Sequence, residues 1–256
     1  MTGSRKTHNY DAEKAATRGR PSYVWREGQE RRLTMVRRWA PFRGKRVLDI
    51  GCGVGVYTAA FDQDTPHAVA VELESTRGKE ARHRGLAVVQ AAGEALPFKG
   101  GGFDLVFSHE VIEHVADDTK AAAEMVRVAT PGGRVVVFCP NRWHPFETHG
   151  HYWKGEYRFG NTPLINYLPD GLRNRLAPHV RAYSGRRLRT LFSRLPVRVL
   201  QHTQVFPGYD NLVVLRPTLG RWLRRLSYWL EGTPLRVLGL SHFLVLEKLD
   251  SAPEQL

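Results

Sequence analysis

The sequence predicts an α/β fold: a doubly wound, mostly parallel seven-stranded sheet with helical additions before and after it. Three observations carry this. Between residues 46 and 139 short apolar runs alternate with helical stretches, the pattern of repeated strand–helix–strand units. Right-handed crossovers then place helices on both faces of a parallel sheet. The first run ends in an acid followed by glycines at every second position, Asp49-Ile50-Gly51-Cys52-Gly53-Val54-Gly55. Two more strand-like runs come late, at 197–206 and 242–249.

Taken in order, the first 20 residues are polar and are expected to be loose. Residues 25–39 read as a helix with Leu33, Val36 and Trp39 on one face, stopped by Pro41. Residues 1–42 are thus an N-terminal segment with a cap helix, and 43–250 form the main domain. Its strands are expected at 46–50, 68–71, 87–90, 104–108 and 134–139. The clearest helix is 117–128, and Pro131-Gly132-Gly133 is the turn into the next strand. Residues 141–195 supply substrate-side loops and helices. There 162–176 reads as short helices broken by Pro163 and Pro169, and Ser184 caps a helix at 185–193. Residues 207–240 form a basic insertion with its own amphipathic helix. Leu219, Trp222, Leu223, Leu226, Trp229 and Leu230 share one side, with Arg221, Arg224 and Arg225 on the other. Such a stripe more often packs on its own domain than lies at a lipid interface.

Composition removes several classes. Cys52 and Cys139 are the only cysteines and form no CxxC, which excludes a disulfide framework or a zinc finger. No apolar run is long enough to span a bilayer, and the start has no secretory h-region. A cytoplasmic protein is expected, with peripheral contact at the inner, anionic membrane face if the insertion helix is interfacial. The net charge of +13 is uneven: residues 171–240 carry 13 basic and 2 acidic side chains, against 11 and 13 over 41–140. No recognisable RNA-binding module accompanies that excess, so nucleic acid is not the expected partner.

The glycine-rich turn permits close approach of a ligand to the backbone at the carboxyl end of a strand. A dinucleotide fingerprint GxGxxG fails here: begun at Gly51 it meets Val56, and begun at Gly53 it meets Thr58. Glu72 stands 21 residues after Gly51 at the end of the second strand, where a carboxylate can accept both hydroxyls of a ribose. Then come Gly93-Glu94-Ala95-Leu96-Pro97-Phe98 and Phe103-Asp104-Leu105-Val106-Phe107-Ser108-His109-Glu110-Val111-Ile112-Glu113-His114.

With these pieces in this order, residues 45–140 resemble the class I S-adenosylmethionine-dependent methyltransferases, most closely those acting on small molecules and quinone precursors. The resemblance implies a Rossmann-like fold and S-adenosylmethionine as cofactor. It implies that Asp49, Gly51, Cys52, Gly53 and Gly55 surround the methionine part and Glu72 holds the ribose. Gly93 and Glu94 lie beside the adenine, and Ser108, His109 and Glu110 line the sulfonium end. The chain departs from the pattern at Ala92, where the family usually has Asp near the adenine amino group.

The methyl of a sulfonium is already electrophilic, so the protein must align the reactants and exclude water. A base is needed only for a neutral acceptor such as a hydroxyl, and histidine is the natural choice. His109, His114, His144, His149 and His151 all follow strand ends. Glu110, Glu113 and His114 form ExxEH. With His149 or His151 this could bind a divalent metal, although capping and packing of the following helix is the expectation. Trp143, His144, Phe146 and His151 suggest the wall of a pocket for a flat or greasy acceptor. The expected activity is O-methylation of a small or lipid-like acceptor. The alternatives are a metal-assisted RNA 2′-O-methyltransferase and a catalytically idle cofactor-binding protein.

Overall fold

A computed structural model describes residues 26–250, and the expectations for residues 1–25 lie outside them. A helix α1 (Glu27–Trp39) opens the described chain, with acids in its first turn and Arg37 and Arg38 in its last, which suits its dipole. Then strands and helices alternate: β1 (Val47–Ile50), α2 (Val56–Asp62), β2 (Ala68–Glu72), α3 (Ser75–His83), β3 (Val88–Gln90), β4 (Phe103–His109), α4 (Asp118–Val128) and β5 (Ala129–Pro140). All four β1 side chains are buried, as they must be in a strand covered on both faces.

After β5 come two small hairpin-like pairs, β6 (Phe146–Glu147) with β9 (Thr162–Pro163), and β7 (His151–Trp153) with β8 (Glu156–Arg158). Next are a 3-10 turn (Ile165–Tyr167), α5 (Asp170–Leu176) and α6 (Gly185–Phe192). Ser184 does cap α6, its hydroxyl accepting from Arg187 N at 3.3 Å. The long β10 (Val197–Val205) follows. Then come α7 (Asp210–Leu215), α8 (Pro217–Leu230), a 3-10 turn (Pro234–Leu238) and β11 (Ser241–Lys248).

The seven long strands form one sheet in the order β10-β11-β5-β4-β1-β2-β3. β1 to β5 are parallel, and β11 is inserted antiparallel between β5 and β10. One face packs Leu48, Val106, Val135 and Leu244 against Met125 of α4 and Leu188 of α6. The other packs Val47, Phe107, Val136 and Phe243 against Leu33 of α1 and Phe61 of α2. Alternate residues of each strand thus serve opposite layers.

Two details differ from the sequence reading. Pro131-Gly132-Gly133 lies within the span of β5: Phe103 pairs with Ala129 but Leu105 with Arg134, so the extra residues bulge out of the ladder. Gly132 has φ +71°, a conformation glycine adopts freely. Residues 162–176, read as broken helices, begin instead as strand β9, because Thr162 and Pro163 pair with Glu147 and Phe146.

Candidate active site

The loop after β1 turns sharply. Gly51, Gly53 and Gly55 have φ of +71°, +57° and +81°, and both Gly51 N and Cys52 N donate to Val71 O. At Gly51 a Cβ would lie 2.3 Å from the Val111 side chain. At Gly53 a Cβ would meet nothing within 4 Å, so this backbone faces open space. That space is a cleft of about 730 Å³ lined by Asp49, Gly51, Cys52, Gly53, His109 and Glu110, with Arg32 of α1 and Tyr209 opposite.

Acids support the loop from below. Glu72 is buried at the end of β2, with its two oxygens accepting from Gly53 N and Glu74 N, each at 2.8 Å. Asp49 is buried and accepts from the Thr58 hydroxyl at 2.6 Å. Burial pushes its carboxyl up to about 7, against the Thr58 hydrogen bond and with help from the charge of Glu72. Burial and the same two acids push the Cys52 thiol well up. Gly93 packs against Ile50 and Val115, while Glu94 accepts from Ala116 N at 2.6 Å and so ties its turn to the approach of α4. Ser108 is fully buried in β4, its hydroxyl without a hydrogen-bond partner among the described residues.

At the end of β4 the chain reverses. Glu110 has φ +55°, a strained value for a residue with a side chain, and such strain concentrates at functional positions. Its carboxylate accepts from the Ser241 hydroxyl at 3.1 Å and lies 3.4 Å from His149 Nε2. His149 Nδ1 lies 3.3 Å from Glu147 Oε1, and Glu147 Oε2 is 2.8 Å from the buried Arg173. Burial disfavours the imidazolium, yet hydrogen bonds to Glu110 and Glu147 raise His149 to about 10. Burial likewise works against the Glu110 carboxylate. The His149 hydrogen bond and nearby positive charge win, and hold it below the ordinary range.

Glu113 and His114 stand on the same turn. Glu113 is buried, and among the described residues neither of its oxygens has a hydrogen-bond partner. Burial, reinforced by the charge of Glu110, pushes it well up. His114 Nδ1 lies 3.1 Å from His179 O, so Nδ1 carries the proton and Nε2 the lone pair. Burial and then the charge of His149 lower His114 to about 4. One ligand atom from each of Glu113, His114 and His149 falls within 4.8 Å of the others. On its far side, Glu113 and His114 border a second cavity of about 1030 Å³, walled also by Arg142, His179, Arg181 and Arg187.

Of the remaining sequence candidates, His109 lines the cleft and the others do not. His109 sits among Tyr57, Phe107 and Phe138, and burial lowers it to about 4. His144 Nδ1 meets Leu238 O at 3.0 Å, and His151 Nδ1 meets the Thr162 hydroxyl at 3.1 Å. Trp143 and Phe146 are about half exposed, and none of Trp143, His144, Phe146 and His151 lines either cavity. Sequence reasoning missed Arg32, Glu147, Arg173 and Ser241. Glu147 lies two residues before His149 and was within reach of a spacing argument; the other three carried no local signal.

A family model described as "Methyltransferase domain" matches residues 48–137. An uncharacterized methyltransferase of Mycolicibacterium gilvum is 33% identical over 205 residues, 69% of this chain and 78% of that protein. A demethylmenaquinone methyltransferase of Beutenbergia cavernae is 35% identical over 51% of this chain and 59% of its own length. A ubiquinone biosynthesis O-methyltransferase of Xylella fastidiosa is 32% identical over 43% of this chain and 48% of its own. The chain therefore spans only about half the length of these two quinone enzymes. The crystal structure of an S-adenosylmethionine-dependent methyltransferase from Mesorhizobium loti superposes with a TM-score of 0.60. It is 16% identical and covers 84% of this chain and 96% of that one, a likeness of fold.

Proposed function

The chain belongs to the class I S-adenosylmethionine-dependent methyltransferase family, and from that premise we propose that it methylates an oxygen of a small or lipid-like acceptor of the quinone-precursor kind. The observation that carries this reading is the position of Glu110. Its carboxylate lines the cofactor cleft and at the same time contacts His149, so cleft and acid–imidazole cluster share a wall.

The cleft suits the cofactor. The open backbone face at Gly53 leaves room for it, and Asp49 and Glu110 favour a sulfonium and an ammonium nearby. Glu72, already accepting two amides, keeps lone pairs for ribose hydroxyls. Arg32 lines the cleft with a buried Nε that has no partner among the described residues, and is placed to receive the methionine carboxylate. Bound there, S-adenosylmethionine supplies the electrophilic methyl group.

The chain's own part is to orient the acceptor and take its proton. His149 is held as a cation by two carboxylates and is not the base. His114 is neutral, its Nε2 3.9 Å from Glu113 Oε1; lowered to about 4 it is a weak base, and in this reading it takes the proton of an already acidic hydroxyl. The second cavity has His114 in its wall but shares no lining residue with the cofactor cleft, so the acceptor's reactive oxygen must reach past His114 toward Glu110 in this reading.

A second reading has its own observation. A buried carboxyl with neither oxygen bonded is costly, and a divalent cation shared with His114 and His149 would satisfy it. One carboxylate with two imidazoles suits Mn²⁺ or Zn²⁺ at least as well as Mg²⁺. Such an ion lowers the pKa of a bound hydroxyl.

Turnover with hydroxylated aromatic acceptors, followed by release of S-adenosylhomocysteine, tests the activity. Methyl transfer only to carbon or nitrogen would overturn the O-methylation reading. Metal analysis and chelation separate the two readings: activity that survives EDTA in a metal-free preparation leaves His114 as the base.

A further inference from the structure

Helix α8 rests on the body along a narrow face, while Arg221 and Arg225 of its polar side stay exposed. Gly220 and Ser227 are its buried residues. The Ser227 hydroxyl donates to the Tyr209 hydroxyl at 3.1 Å. Arg224, expected on the free polar side, instead turns inward to Gly208 O at 2.6 Å and Asp210 at 2.9 Å. Just past the helix, Glu231 accepts from Phe206 N at 2.8 Å and pairs with Arg31 of α1. At Gly220 a Cβ would lie 2.6 Å from the Val213 backbone, so the two helices of the insertion approach closely.

Four of the six residues of the apolar stripe face outward, and Leu223 and Leu230 are half-buried. Trp222 is 59% and Trp229 67% exposed, with Leu219 and Leu226 beside them. α7 and the following 3-10 turn both pack against α8, and on them Val214 and Leu215 are 79% and 78% exposed and Leu235 and Val237 are exposed as well. Arg216, Arg221, Arg225 and Arg236 are exposed among them. The two acids of this segment, Asp210 and Glu231, are each engaged by an arginine. Exposed tryptophans and leucines grouped on one segment and rimmed by arginines mark an interaction site.

We infer that residues 214–237 dock on an anionic lipid bilayer. Tryptophan and leucine gain by burial at the headgroup boundary, and exposed arginines are attracted to acidic headgroups. A second copy of this chain fits the surface less well, because a two-fold pairing would oppose one set of arginines to the other. The docking also has a geometric consequence. Pro207 to Leu212 and Leu240, which flank the apolar segment, line the cofactor cleft, so a docked molecule holds the cleft at the bilayer surface. This inference does not rest on the methyl-transfer reading.

Vesicle flotation of the full chain tests it, with phosphatidylcholine vesicles that contain or lack phosphatidylglycerol. The protein is expected to float with the anionic vesicles at low ionic strength and less at high, with a blue shift of tryptophan emission. Trp222→Ser with Trp229→Ser should lower partitioning more than about tenfold. Arg221→Gln and Arg225→Gln should each lower it about fivefold, and only at low salt. All four side chains are exposed, so melting temperature and S-adenosylhomocysteine binding should match the parent protein. Wild type that stays in solution with anionic vesicles would overturn the inference. So would a dimer that the tryptophan substitutions dissolve, since the face would then be covered by a second copy. Loss of cofactor binding with flotation intact would count against the methyltransferase site alone.

Discussion

Arg173→Met should be among the most damaging single substitutions in the chain. Arg173 is 1% exposed, and its guanidinium donates to Val180 O at 2.5 Å and to Glu147 Oε2 at 2.8 Å. Glu147 is itself buried and faces His149 with its other oxygen. Removing one partner of a buried ion pair leaves the other charge uncompensated and costs about 3–5 kcal/mol. For a chain of this size that lowers the melting temperature by roughly 10 °C. Glu147→Gln should cost a similar amount by leaving the guanidinium unpaired. The double variant removes both charges, so its loss should fall short of the sum by about 2–3 kcal/mol. Urea unfolding of the four proteins measures the cycle. Strictly additive losses would show that the pair does not hold the loop that carries His149.

Three further outcomes follow from the same geometry. Glu72→Ala should weaken cofactor binding by about 1–3 kcal/mol and, because the carboxylate props two backbone amides, should also lower the melting temperature; an unchanged dissociation constant removes Glu72 from the site. Asp49, raised to about 7 in the free cleft, should lose its proton when the sulfonium enters, so affinity should rise with pH through about 7. Calorimetry in buffers of different ionisation enthalpy reads that release directly, and its absence would refute the pairing. His242 is fully buried, its Nε2 donating to Tyr183 O at 2.8 Å, and burial lowers it to about 4. The unfolded chain, with the ordinary 6.5, then binds more protons in between, so stability is complete above about 6.5 and falls by about 3 kcal/mol as pH drops toward 4. The fall should be shallower in His242→Gln, and equal slopes would contradict this account.

The cleft was largely legible in the sequence because its chemistry is local. The glycine turn, Asp49 and Glu110 sit at strand ends, and strand ends are set by apolar alternation. Glu72 also sits at a strand end, where it props Gly53 N from below without lining the cleft itself. Arg32, Arg173 and Ser241 were not, because each reaches the site from an element far away in sequence: Ser241 meets Glu110 across 131 positions. His144 and His151 follow β5 as the sequence suggested, yet neither lines either cavity, because the turns that place them depend on the distant Leu238 O and Thr162 hydroxyl. The insertion helix was read correctly as amphipathic, but which side would face the body depended on Tyr209, Asp210 and Arg31, partners no periodicity reveals.

The strand order carries a consequence for synthesis. Among the described residues β10 pairs only with β11, and β11 also completes the flank of β5. A nascent chain that has reached residue 205 holds β10 with no neighbour in the sheet. It also presents the bare edge of β5, including Val135, Val136, Val137 and Phe138, all buried in the finished protein. Both stay unpaired while the ribosome adds the insertion and then the last strand. The exposed edge is the kind that recruits other chains. Vectorial translation therefore leaves one flank of this sheet to be closed last, by a segment whose first residue, Ser241, also brings its hydroxyl to Glu110.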